Sequence, residues 1–372
     1  MKRVAMLIFI AYLSTQWASC SGNAARPDPE HGLGIGFETI IEAPESLNQL
    51  AREINSTDIN ALYISVGRID WTGYPWTNHE NAWSGPVNET GADYVERTIK
   101  TLATTETERH RRTILVVDCL APKFLEAHPD LQGLDEAGTP ADGFPSVAAL
   151  EDSTYRTSLL DLAADVAQRY SPEEIAFTEL MFDDHTFGPK DLTSYKRFTG
   201  HSGWPLLPNG RIDQTDSSIA QWRSHALAGF LQAARERIHP FNIDVSIDVR
   251  TDVQDPLHGR AASGHDVPLL AMQADRVTVW NYFGLSGYPP EHSERIVEKL
   301  ENARLPSEFV YSVGLWNTPS TDSPGPTITA HELETALRSS TISPSINLQV
   351  TPVSLMTDEH WKILQRLWAP KA

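Results

Sequence analysis

The chain has 372 residues, 40% of them hydrophobic, and a formal net charge of −19 at pH 7. That is ample for one large domain or two ordinary ones. The charge excludes a nucleic-acid partner, since phosphate binding needs clustered Lys and Arg, whereas a neutral or cationic ligand is compatible.

Lys2 and Arg3 precede an apolar run from Val4 to Leu13 and a small-residue site, Ala18-Ser19-Cys20. This pattern reads as a secretory leader, and the run is too short for an ordinary membrane span. Cys20 after two small residues resembles a bacterial lipoprotein signal, although Trp17 stands where a small aliphatic residue is usual. The expectation is a chain outside the cytoplasm, with Cys20 lipidated and the membrane reached only through that anchor, or else a plainly secreted one. With Cys20 lipidated, Cys119 is the one free thiol and no intrachain disulfide can form. Cys119 has no Cys or His at ligand spacing, so no zinc site, metal or other cofactor is expected. Residues 21–31 read as a polar tether with two prolines. Asn55-Ser56-Thr57 and Asn88-Glu89-Thr90 match the glycosylation sequon, a coincidence if the leader is bacterial.

Beyond the tether, strands and helices alternate. A first strand is expected in 32–41, ending near Glu38, and a helix over 44–54 with Leu47, Leu50 and Ile54 on one side. A second strand over 59–66 runs into Arg68 and Asp70, then a loop holding Tyr74, Trp76 and Trp83. The spacing predicts a helix over 92–103, a third strand over 112–120 with Asp118 near its end, and a long loop over 122–149. A loop of that length suggests cover for a site. A helix is predicted over 154–170, then a fourth strand, the apolar run 175–182, stopping at Asp183, Asp184 and His185. An aromatic- and glycine-rich excursion follows, then a helix over 217–238 capped by Asp216 or Ser217. Strands over 243–249, 276–282, 309–316 and 346–355 alternate with helices over 291–302, 331–338 and 358–367. Eight strands alternating with helices is the pattern of a single-domain (β/α)8 barrel, a TIM barrel in the α/β class, here over 32–372.

Such a barrel opens all its strand C-termini on one face. That face would gather Glu38, Arg68, Asp70, Asp118, Asp183, Asp184, His185, Asp248, Arg250, Trp280, Asn281, Tyr282, Trp316 and Asn317. Several carboxylates beside flat aromatic rings suit glycoside hydrolysis: one carboxyl protonates the leaving oxygen, another acts as nucleophile or base, and rings stack on sugars. Each residue also has a plainer reading. Asp118 could hold a loop or pair with an arginine, Asp248 could bridge to Arg250, Asp70 could pair with Arg68, and Trp280 and Trp316 could be packing. An Asp183-Asp184-His185 metal cluster lacks a second nearby histidine at ligand spacing.

A strand ending in Phe182-Asp183-Asp184, the following Tyr195 and Trp204-Pro205, a long helix, and the strand Val277-Thr278-Val279-Trp280-Asn281-Tyr282 are together similar to the C-terminal hydrolase domain of the poly-N-acetylglucosamine export and deacetylation proteins. The resemblance implies a (β/α)8 glycosidase acting on a β-linked amino-sugar polymer, with Asp183 and Asp184 at the catalytic position. The deacetylase domain that precedes the barrel in that family is not expected within these residues. No acidic residue stands on the seventh strand, where Tyr311-Ser312-Val313-Gly314 is found, so Asp118 or Asp248 would supply the second carboxylate. Glu38, Arg68, Asp70, His185, Trp280, Asn281, Tyr282 and Trp316 are the expected substrate-binding residues. The expected partner is a polysaccharide, partly deacetylated and cationic on the charge argument, and the chain is expected to act as a monomer. The competing expectation is a non-catalytic polysaccharide-binding lipoprotein on a barrel scaffold.

Overall fold

A computed structural model describes residues 28–42, 46–103, 110–151, 154–319 and 325–370. The leader and Cys20 lie outside the described residues. Eight parallel strands form a closed barrel: β1 (His31–Ile35), β2 (Ala61–Arg68), β3 (Arg112–Asp118), β4 (Glu174–Thr178), β5 (Asp244–Arg250), β6 (Arg276–Asn281), β7 (Glu308–Gly314) and β8 (Asn347–Thr351). Each strand pairs with the next, and β1 pairs with both β2 and β8, which closes the ring. Helices cover the outside with the apolar faces the spacing predicts: Leu47, Leu50 and Ile54 on Leu47–Asn55, and Leu159, Leu162 and Val166 on Thr154–Tyr170. Asp216, not Ser217, caps Ser217–Ile238, accepting the Ser218 N–H at 2.8 Å.

Several boundaries differ from expectation, and three of them bear on the barrel's two ends. Glu30 already belongs to the barrel, its N–H donating to Asn347 Oδ1 at 2.9 Å, so the tether ends earlier than residue 31. β1 stops at Ile35, and Glu38 sits in the π-helical turn Glu38–Glu42 that follows. β4 stops at Thr178, paired with Asp118, because Glu179 takes a left-handed backbone at φ +55° and breaks the ladder. Leu180, Met181 and Phe182 remain buried as loop, the Phe182 N–H donating to the Ser263 carbonyl at 2.8 Å. The long segment after β3 is not structureless. It holds a hairpin, Gln132–Leu134 with Pro140–Pro145, between two short helices, and it props the loop after β4, where Phe187 N–H reaches the Leu134 carbonyl at 2.8 Å.

Alternate strand residues enter the barrel. At its N-terminal end Arg276, 2% exposed, binds Glu174 at 2.7 Å and Glu30 at 2.8 Å, and Arg112 reaches the same Glu174 oxygen at 2.8 Å. Tyr63 donates to the other Glu30 oxygen at 2.5 Å. Above this floor Ala61, Ile114, Ala176 and Val310 pack with Tyr63 as an apolar plug. Ion pairs and plug fill the lower interior, and the barrel opens as a cleft at its C-terminal mouth.

Breaking a buried ion pair from one side leaves an uncompensated charge and costs about 3–5 kcal/mol. Arg276→Met is therefore expected to lose stability on that scale, read as a lowered urea midpoint at unchanged slope. Replacing exposed Arg237, paired with Asp161 at 2.9 Å, should cost well under a third as much.

Candidate active site

The mouth is a cleft in two adjoining parts of about 300 and 380 Å³, which share Glu179, Trp280, Tyr282 and Trp316. The inner part also meets Glu38, Asp118 and Asp248. The outer part meets Arg250 and Arg260. A larger depression of about 580 Å³ lies away from the mouth, against the helix Pro189–Thr199. Its cations Lys190 and Arg197 are taken up by Asp130 and Glu151.

Three carboxyl groups from three successive strands converge in the cleft. Asp118 ends β3, Glu179 directly follows β4, and Asp248 lies within β5. Burial pushes Asp118 up to about 7, against the Leu120 N–H that donates to it at 2.8 Å and the nearby Arg68, and with the repulsion of Glu179 and Asp70. Burial also pushes Asp248 up to about 7, opposed by hydrogen bonds from the Thr178 hydroxyl and the Trp280 indole and reinforced by Glu179 and Glu174. Glu179 is raised by burial and by Asp183, with Arg250 acting the other way. Asp118 and Asp248 therefore keep their protons up to about pH 7.

The aromatic wall rises from β6 and the loop after β7. Trp280 near the end of β6 and Tyr282 just beyond it stack at 5.0 Å and 10°, and Trp316 tilts against Tyr282 at 5.2 Å. Tyr282 can lie flat there because β7 ends in Gly314, where a Cβ would strike the tyrosine ring. Asn281 points to the opposite side and is buried, donating to Ser293 Oγ at 2.7 Å.

The expected aspartate pair is split. Asp183 accepts from Arg250 at 2.9 Å and from the Ser263 hydroxyl at 2.8 Å. Burial alone would raise it, but Ser263, Arg250 and Arg260 hold it below the usual carboxylate range. Asp184 is 77% exposed, 3.6 Å from His185 Nδ1. His185 is buried against the Phe144 ring of the hairpin, and burial lowers its pKa. Neither aspartate borders the cleft, because the strand expected to run up to them ends at Thr178. Among the described residues no group of three or more His, Cys, Asp or Glu is placed to hold a metal.

Other expected residues divide similarly. Glu38 borders the cleft and accepts from Ser354 at 2.5 Å. Arg68 pairs with Asp70 at 3.0 Å, and Asp70 caps the helix Pro122–Ala127 through the Lys123 and Phe124 N–H groups at 2.7 and 3.2 Å. Asn317 ties its own loop, donating to the Gly325 carbonyl at 2.7 Å. Asp248 does not bridge to Arg250, whose ionic partner is Asp183. Sequence reasoning missed Glu179, Arg260 and Ser263. The first had a signal: a lone glutamate interrupting the apolar run 175–182 marks a strand end. The other two had none, because a loop after β5 carries them.

No family model matches the chain, and no curated protein does. Solved structures do share its fold. The PgaB (BpsB) glycoside hydrolase domain from Bordetella bronchiseptica superposes with a TM-score of 0.67 at 14% identity, over 92% of this chain and 100% of that one. The β-galactosidase of the psychrophilic Marinomonas ef1 gives 0.58 at 12%, over 91% and 58%. A Group IV chitinase from Ostrinia furnacalis gives 0.53 at 10%, over 92% and 100%. The (β/α)8 barrel and the likeness of fold to the poly-N-acetylglucosamine hydrolase domain are as the sequence led one to expect.

A carboxyl that keeps its proton to about pH 7 when folded, but releases it near 4 when unfolded, makes the folded state the better proton binder between those values. Stability then falls as pH rises through that window. Asp118→Asn and Asp248→Asn should each stabilise the protein by about 1 kcal/mol at pH 7.5. The gain should vanish below about pH 4, where both forms are neutral in either state. Thermal unfolding across pH would show this.

Proposed function

We propose that the chain is a glycoside hydrolase cleaving an amino-sugar-containing polysaccharide at the barrel mouth. The observation that carries this reading is the meeting of Asp118, Glu179 and Asp248 beneath the Trp280–Tyr282–Trp316 wall, with two of the acids protonated up to about pH 7. Asp248, held by Thr178 and Trp280, gives its proton to the glycosidic oxygen as the C–O bond to the anomeric carbon breaks, and water adds to that carbon, its proton passing to a cleft carboxylate. Glu179 has the Arg250 guanidinium to favour its ionised form and faces the positive charge that grows on the sugar ring. Asp118 completes the acidic floor, and the aromatic wall stacks a sugar ring. Asp183 acts as a positioning residue, since it fixes Arg250. Asp184 has no contact with the cleft. The amino-sugar substrate rests on the Asp-pair resemblance and on the fold shared with the PgaB (BpsB) glycoside hydrolase domain. A place outside the cytoplasm, secreted or anchored through Cys20, rests on the leader over 1–20.

The test is release of reducing ends from acetylated and partly deacetylated glucosamine polymers by protein lacking residues 1–20. Glu179→Gln and Asp248→Asn are each expected to lose activity on the order of a thousandfold, while Asp184→Asn keeps near-normal rates. In the active protein kcat/KM should fall above about pH 7, as the acid loses its proton. Full activity in Glu179→Gln would overturn the assignment. Polymer binding without cleavage would favour a polysaccharide-binding protein instead.

A further inference from the structure

The two halves of the cleft differ in charge. The inner half holds Glu38, Asp118 and Asp248, and Glu179 stands where the two halves meet. The outer half, beyond Trp280, is bordered by Arg250, Thr251, Arg260, Leu285 and Ser286. Arg250 is already neutralised by Asp183 at 2.9 Å, with its guanidinium carbon 6.0 Å from the centre of the Trp280 ring. Arg260 differs. Among the described residues its guanidinium has no hydrogen bond or ion pair, and its Nε is buried without a partner. Burying an unpaired donor is costly, and native structures rarely leave one without cause.

The backbone carrying Arg260 is fixed rather than free. The Arg260 carbonyl accepts the N–H groups of Ser263 at 2.9 Å and His265 at 3.1 Å. Arg223, from the helix Ser217–Ile238, donates to the Ala262 carbonyl on one side and to the Thr186 hydroxyl at 2.9 Å on the other. His265 is buried and held neutral, its Nδ1 accepting the Arg250 N–H at 3.0 Å and its Nε2 donating to the Leu180 carbonyl at 3.0 Å. Ser263 binds Asp183 at 2.8 Å. Both arginines are thus held by one hydrogen-bonded frame at the edge of an aromatic wall.

We propose that this outer half is a subsite for a carboxylate-bearing sugar, whose ring lies on the aromatic wall and whose carboxylate is bound by Arg260 beside Arg250. Resting on the hydrolase reading, this narrows the substrate to an amino-sugar polymer that also carries acidic units. A guanidinium takes a carboxylate through two parallel N–H···O bonds, which a neutral hydroxymethyl group cannot reproduce. Of the acids lining the cleft, Glu179 alone reaches the outer half, where the two arginines Arg250 and Arg260 face it, while Asp118 and Asp248 lie at the inner end, where a proton is needed.

Calorimetric binding of a hyaluronan tetrasaccharide (alternating N-acetylglucosamine and glucuronate) and of its carboxyl-reduced counterpart tests this. The protein should prefer the acidic form by about tenfold or more, the scale of a charge-assisted hydrogen bond. Arg260→Gln should erase the preference and Arg260→Lys restore part of it. Arg237→Gln, which removes the same charge at a distant exposed position, should leave it intact. Equal affinity for both sugars in the unaltered protein, a preference that survives Arg260→Gln, or no binding of either sugar would each overturn the proposal. Cleavage of the two sugars, followed in parallel, separates the two readings. A preference without cleavage supports the subsite and counts against hydrolysis, whereas cleavage without preference does the reverse.

Discussion

Arg276 is the hub of the barrel. It enters from the first position of β6 and joins Glu174 at the start of β4 and Glu30 just before β1, with Glu308 of β7 at 3.3 Å. Arg112 from β3 adds a second cation to Glu174. One guanidinium therefore engages acids from strands on different sides of the ring, and its fork of donors suits that task as an ammonium would not. Such pairing roughly offsets the cost of taking these charges out of water, and its larger effect is to specify how the strands close. The floor is sealed by paired charge and by the plug above it.

The same interior is run differently at its other end. There the acids outnumber the cations, and burial acts on carboxylates not fully repaid by hydrogen bonds. Asp118, Glu179 and Asp248 are raised for this reason. A protein selected only for stability would not leave three such groups together, so the imbalance is itself an argument for chemistry at the mouth. The left-handed backbone at Glu179 is a second local cost in the same place.

The loops that frame the cleft are held by side chains from outside it. Arg223 reaches from an outer helix to the loops after β4 and β5 together, and the hairpin after β3 presses Phe144 onto His185. Asp183, though expected to do chemistry, sits in this supporting layer, bound to Arg250 and Ser263. The layer explains how a polar arginine pair can stand at a fixed place beside an aromatic wall.

The alternation of apolar runs and helical faces by itself determined the barrel, because burying both faces of a parallel strand imposes a continuous apolar run, and each crossover helix must show one apolar side. It also placed Asp118, Asp248, Trp280, Tyr282 and Trp316 near the mouth, since each stands at or just beyond a strand's C-terminal end. Tertiary structure alone decided where β4 stops. An apolar segment stays buried whether it runs as strand or as packed loop, so the run 175–182 carried no mark of its break except Glu179. A shift of a few residues there took Asp183 out of the cleft, put Glu179 in, and turned Asp184 to solvent. Pairings across the ring, such as Arg250 with Asp183 or Arg68 with Asp70 against Asp118, depend on which side chains the closed barrel brings within a few ångströms, and no local pattern contains that information.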